Sequence, residues 1–276
     1  MSKSIAADAA SVRSALLLAV IANQPLLVLT GEQGDVPAYP GPGWVKILDD
    51  DLRWQAVESA SLAAKQMPNR TLSRAYEGNA INVVTSLDPL CHIVQSVLSD
   101  ENSDLGIHVV MALPGAQLPE SVCTRMAAAV DLSRMPPSTV KALFDSIMES
   151  DEFSPGNVAA LRAKFAHAIA DVSPAFVNRL EKAVRATRPD TVEFMERVSI
   201  GILPTFGFGA SARVAVNLLR VSAAHAAIAG RHRVRSSDLV DVFPLTVAHA
   251  ITWGAATPKP GTALALTQIA EWAVSI

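Results

Sequence analysis

The sequence predicts an α/β core, a parallel sheet flanked by helices, followed by an all-helical segment. Two patterns and one compositional fact lead there. Short continuous apolar runs such as Leu26-Leu27-Val28-Leu29 alternate with helix-like stretches in the first half, as strands buried on both faces do. After Leu132 the spacing of apolar residues is helical throughout. Half of the 276 residues are apolar and only 18% are charged. Ala, Val and Leu supply the excess, a mixture that suits packed helices with a modest sheet.

The elements follow in order. Ala6 to Ala22 has apolar residues at helical spacing with Arg13 on the polar side, and Pro25 ends it. Leu26–Leu29 is a buried strand closed by Thr30-Gly31, and the Pro- and Gly-rich stretch Gly34–Gly43 is a loop. Trp44–Leu48 reads as a second strand, and Asp49-Asp50-Asp51 offers N-caps for a helix through about Lys65. Ala80–Val84 is a third strand, Leu90–Leu98 a helix and Gly106–Ala112 a fourth strand. The boundary falls near Ser133–Pro137, giving a core over 1–135 and a helical segment over 136–276. Helices are expected at Ser138–Ser150, Pro155–Asp171, Pro174–Ala186, Thr191–Ile200, Ser211–Gly230 and Ser236–Ile251.

Composition also excludes functions. A net charge of -3 is wrong for a nucleic-acid binder that relies on overall basicity, and 5% aromatic residues supply few rings for base-stacking platforms. Cys91 and Cys123 form neither a disulfide framework nor a Cys-x-x-Cys pair, which fits buried thiols in a reducing cytoplasm. The apolar block Ala15–Ala22 is far shorter than a membrane span, and Met1–Arg13 lacks the basic start of a signal peptide. A cytoplasmic protein is expected.

Several motifs carry little chemistry. Six scattered histidines make no His-Glu-x-x-His, and His225 and His249 fall within apolar helices, as core or interface residues do. Gly209–Arg213 lacks the closing glycine of a nucleophile elbow. Gly207–Ala212 matches the loose dinucleotide fingerprint, but no strand and acidic residue follow at the right distance. The three carboxylates Asp49–Asp51 do not converge on one point, so a helix cap or solvated face is favoured over a metal site.

Taken together, Gly209-Ala210-Ser211-Ala212-Arg213, the Ala-rich helix to Gly230, Arg231–Leu239 and Val240–Ile251 resemble the lid of the MoxR and magnesium-chelatase branch of AAA+ ATPases. The resemblance implies an AAA+-like core followed by a helical lid at about 190–254. Leu26–Gly34 is similar to the strand and opening of that family's P-loop, with Gly31 and Gly34 in place. The family's next residues, x-Gly-Lys-Thr, are replaced by Asp35-Val36-Pro37-Ala38. The lysine that reaches the β/γ-phosphates and the threonine that holds Mg²⁺ are absent. Asp88-Pro89 stands where the family has Asp-Glu: Asp88 still resembles an acidic ligand, but Pro89 cannot polarise water. Ala112–Gly115 replaces the amide-bearing sensor 1.

Two elements keep the family pattern. Leu118–Met126 resembles the "Leu-Pro-Glu-Ala-Leu-Leu-Asp-Arg-Phe" stretch, which makes Arg125 an arginine finger acting on a neighbour's γ-phosphate or, alternatively, a surface ion-pair residue. Arg213 matches the sensor 2 arginine; without an intact P-loop, a structural contact between lid and core is favoured. The resemblance thus implies a degenerate subunit, with ATP binding expected to be weak and no other cofactor. Its expected partners are an active AAA+ ATPase, an integrin-like-domain protein and a client enzyme. A stand-alone adaptor and an active ATPase with a non-standard loop are the alternatives.

Overall fold

The computed structural model describes residues 9–29, 54–57, 81–84, 107–112, 124, 126–201, 210–251 and 262–275. Helix α1 (Ala9–Ala22) ends before Asn23, whose left-handed backbone (φ 51°) and Pro25 turn the chain into β1 (Leu26–Leu29). Strands β2 (Trp54–Val57), β3 (Ile81–Val84), β4 (Ile107–Ala112) and β5 (Ala128–Asp131) complete a five-stranded sheet of order β2-β3-β4-β1-β5. Every pairing is parallel.

Two strands differ from the sequence reading. The expected helix from Asp49–Asp51 to Lys65 is interrupted by β2, which pairs with β3 from Trp54↔Ile81 to Val57↔Val84. An aromatic and a β-branched residue at its two ends suit a strand, and pairing with β3 overrides a local helix signal. The expected strand at Trp44–Leu48 lies outside the described residues, as does the expected helix Leu90–Leu98. Strand β5 had no sequence counterpart. Its Ala-Ala-Val-Asp composition carries weak β-propensity, and its register is set by β1, with Leu26 opposite Ala128 and Leu29 opposite Asp131.

After β5 the turn at Leu132–Pro136 leads to helices α2 (Pro137–Met148), α3 (Pro155–Ala170), α4 (Pro174–Arg185), α5 (Val192–Ser199), α6 (Ala212–Ile228), α7 (Ser236–Val247) and α8 (Thr262–Ser275), with a short 3-10 turn at Asp151–Phe153. Their starts are written locally. Pro155 and Pro174 occupy first-turn positions where the missing N–H costs nothing. Ser173 Oγ accepts from the Phe176 amide at 3.2 Å and Thr191 Oγ1 from the Phe194 amide at 3.3 Å. Helix α6 stops at Gly230 (φ +75°), where the Arg231 and Gly230 amides donate to the carbonyls of Ala226 and Ala227. That pair of bonds is a Schellman closure, and glycine supplies its left-handed residue without strain. Helix α8 was not assigned from sequence, although it buries Leu266, Ile269 and Trp272.

One apolar core runs through both halves. It joins Leu16, Val20 and Ile21 of α1, Leu26 and Val28 of β1 and Val130 of β5 to Phe144, Leu161, Leu180, Leu218, Val221, Phe243 and Ile269 of the helices. Helix α1 packs against α3, α6 and β5, so the first helix of the chain is sandwiched between the sheet and the C-terminal helices. Burial of this extent is the main stabilising term of the fold.

Candidate functional site

In an open parallel sheet, ligands bind outside the carboxyl ends of the strands, where neighbouring connections diverge. Here that point is the end of β1. Its chain leaves toward β2 at one edge, whereas β4, its neighbour, leads to β5 on the other side. Leu29 closes β1 beside Ala112 of β4 and Asp131 of β5. The end of β3 is near: Val84 pairs with Val110, two residues before the end of β4. The sequences expected to handle phosphate, with Gly31 and Gly34 after β1, Asp88 after β3 and Ala112–Gly115 at β4, therefore all leave the same edge of the sheet. Gly31, Gly34 and Asp88 themselves lie outside the described residues.

Asp131 is a described carboxylate at this edge that sequence reading missed. It is half-buried, and its Oδ1 accepts from both the amide (3.0 Å) and the hydroxyl (2.6 Å) of Ser133. The Asp-x-Ser spacing was the available signal, since such side chains close a turn on the backbone two residues on.

Arg213 and the flanks of Arg125 belong to a different part of the molecule. Arg125 lies outside the described residues, but its neighbours Thr124 and Met126 are buried. Met126 precedes β5, at the amino end of the sheet, opposite the β1 loop. Arg213 is exposed in the first turn of α6, one helical turn before Asn217. Asn217 is buried and donates from Nδ2 to the Met126 carbonyl at 2.7 Å. The fold thus brings Met126 and the first turns of α6 near one another at the amino end of the sheet.

A buried, hydrogen-bonded charge cluster sits at the far tip of α6 and α7. Asp238, fully buried, accepts from Arg231 through both carboxylate oxygens, from His225 Nδ1 at 2.7 Å and from the Arg235 amide at 2.7 Å. Burial alone pushes this carboxyl up; the hydrogen bonds from His225, Arg231 and the Arg235 amide outweigh it and hold the pKa down to about 2. Because the carboxylate only accepts, the His225 Nδ1 carries the proton. His225 is thereby used as a structural donor within the helical hairpin. Among the described residues no cluster of three or more His, Cys, Asp or Glu could hold a metal ion.

Comparison with known proteins adds family information to this geometry. Residues 204–269, spanning α6, α7 and half of α8, match the AAA lid domain family. A solved structure of a Cytophaga hutchinsonii protein, provisionally named an ATPase, superposes with a TM-score of 0.54 at 15% identity, over 87% of this chain and 81% of that one. The fold is AAA+-like. The hairpin α6–α7, closed by Gly230 and Asp238, is its helical lid, and the five-stranded sheet is its core. A search of curated protein sequences returned no match. No helix among the described residues is long and apolar enough to cross a membrane.

Proposed function

We propose that this chain is a non-hydrolysing or weakly hydrolysing AAA+-like subunit of the MoxR and magnesium-chelatase type. It assembles with an active MoxR-type ATPase, in a chaperone-like complex that matures a client enzyme or inserts its metal or cofactor. The observation that carries this reading is the sequence that follows β1: after Leu29 the chain reads Thr30-Gly31-Glu32-Gln33-Gly34 and then Asp35-Val36-Pro37-Ala38. A phosphate cradle needs backbone N–H donors, a cation and a hydroxyl for Mg²⁺. Pro37 has no N–H to give, Asp35 adds negative charge, and no lysine or threonine follows Gly34 before Tyr39. Pro89 in place of the second acidic residue, beside Asp88, points the same way.

The sequence around Arg125 supports a role toward a neighbour, because Leu118–Met126 keeps the pattern of the family's finger stretch. Its buried flanks Thr124 and Met126 lead into β5 at the end of the sheet opposite this chain's own β1 loop. An arginine that completes an adjoining subunit's site has no need of its own P-loop.

The deciding experiment is calorimetry with Mg-ATP on the isolated chain, paired with co-purification against a MoxR-type ATPase. Weak binding together with a stable mixed complex is the expected result. A dissociation constant in the low micromolar range with saturable turnover would establish the active enzyme instead. A monomer that captures no ATPase would establish the stand-alone adaptor.

A further inference from the structure

From the contacts at the amino end of the sheet, we infer that the lid of this chain is a fixed part of its core: α6 and α7 are fastened to the segments that lead into β1 and β5 and move with the sheet as one body. Four side chains from the helical half reach main-chain carbonyls of the first half. Asn217 Nδ2 donates to Met126 O at 2.7 Å and Thr246 Oγ1 to Ala127 O at 2.8 Å. Arg220 Nε donates to Ala22 O at 3.0 Å, and Arg162 of α3 to Val20 O at 3.4 Å. Asn217 and Thr246 are buried, so no water stands ready to replace them at these carbonyls.

The four acceptors form one connected patch. Val20 and Ala22 are in the last turn of α1, and Met126 and Ala127 precede β5. The Ala127 amide donates in turn to Pro25 O at 2.7 Å, which ties the two lead-in segments together. The last turn of α1 has no basic residue of its own. Arg162 and Arg220 supply positive charge to its terminal carbonyls from two other helices, where it complements the helix dipole. Burial lowers the pKa of both guanidinium groups, yet an arginine stays charged there.

A hinge at the lid would have to break the bonds of Asn217, Arg220 and Thr246 and open the apolar core that α6 shares with α1, where Leu218 and Val221 lie in one cluster with Leu16 and Val20. Cores packed in this way switch between discrete arrangements and do not deform gradually. The attachment also lies at the amino end of β5, away from the carboxyl edge where the β1 loop begins. Displacement of the lid by an adjoining subunit is therefore transmitted to the sheet.

Native-state hydrogen exchange on the full chain tests this directly. The amides of α6 and α7 are expected to exchange through the same opening as those of β1 and β5, with protection within tenfold and the same response to low denaturant. Thr246→Val and Asn217→Leu, which keep shape but remove the donors, are expected to release α6 and α7 at least tenfold faster than β1 and β5. Thr246→Ser, which keeps the hydroxyl, retains the wild-type pattern. Wild-type lid helices exchanging a hundredfold faster than the sheet would overturn the inference even if the variants failed to fold. So would donor-free variants whose lid protection is unchanged.

Discussion

The side-chain amide of Asn217 and the carbonyl of Met126, 91 residues apart, meet at 2.7 Å in a buried position. The bond satisfies a backbone group at the lead into β5 and places α6 against the sheet. Deleting the donor leaves that carbonyl without it, which costs about 1–3 kcal/mol for a buried group. Asn217→Ala is therefore expected to lower stability by that amount in urea unfolding. An unchanged midpoint with an unchanged slope would mean that the bond contributes nothing.

Asp238 gives a pH signature. Its carboxyl is held at about 2 in the fold, below the ordinary 3.8 of an aspartate, so its contribution is fully present above about pH 4 and is lost as pH falls through about 2. The corresponding stabilisation is about 2 kcal/mol. Asp238→Asn should destabilise by that much at neutral pH, and the gap between variant and wild type should close progressively in acid. A gap that stays constant down to pH 2 would show that the ionised form has no special role.

Glycine substitutions should separate by backbone angle. Gly230 has φ +75° with nothing within 4 Å of an added Cβ, so Gly230→Ala meets strain without a clash. It should cost about 1–2 kcal/mol. Gly156, in the first turn of α3, also has open space but no positive φ. Gly156→Ala should instead stabilise by about 0.5–1 kcal/mol. Thermal unfolding of the two variants, moving in opposite directions from wild type, checks both.

Rebuilding the phosphate cradle should restore affinity. In the triple variant Val36→Gly, Pro37→Lys, Ala38→Thr, a lysine and a metal-binding hydroxyl return in the family's order. Charge-assisted contacts contribute about 1.5–3 kcal/mol each, so Mg-ATP should bind at least tenfold more tightly by calorimetry. Equal affinities would place the defect elsewhere.

Arg125→Ala should leave the chain folded and assembled, yet lower the partner's ATP turnover several-fold. Arginine fingers contribute about 10³–10⁵ in rate where they act alone, and a mixed ring with other working fingers should show less. Arg125→Lys should restore little, because an ammonium lacks the planar fork that spans two phosphate oxygens. Unchanged turnover in an intact complex would reduce Arg125 to an ion-pair residue.

The sequence by itself determined what is local. Leu26–Leu29, Ile81–Val84 and Ile107–Ala112 are legible as strands because short runs dominated by apolar and β-branched residues have few other places to go, and Pro155, Pro174, Ser173, Thr191 and Gly230 mark helix ends by their own backbone chemistry. The missing lysine and threonine after Gly34 are likewise a matter of covalent sequence. Tertiary structure decided what depends on distant partners. Ala128–Asp131 is a strand because Leu26–Leu29 pairs with it, and Trp54–Val57 is one because β3 does, against a local helix signal. The bonds of Asn217, Arg220 and Thr246 to carbonyls 91 to 198 residues away carry no local mark, because any carbonyl without a ladder or helix partner could have accepted them. Only the packing of α6 and α7 on the amino end of the sheet chose which ones did.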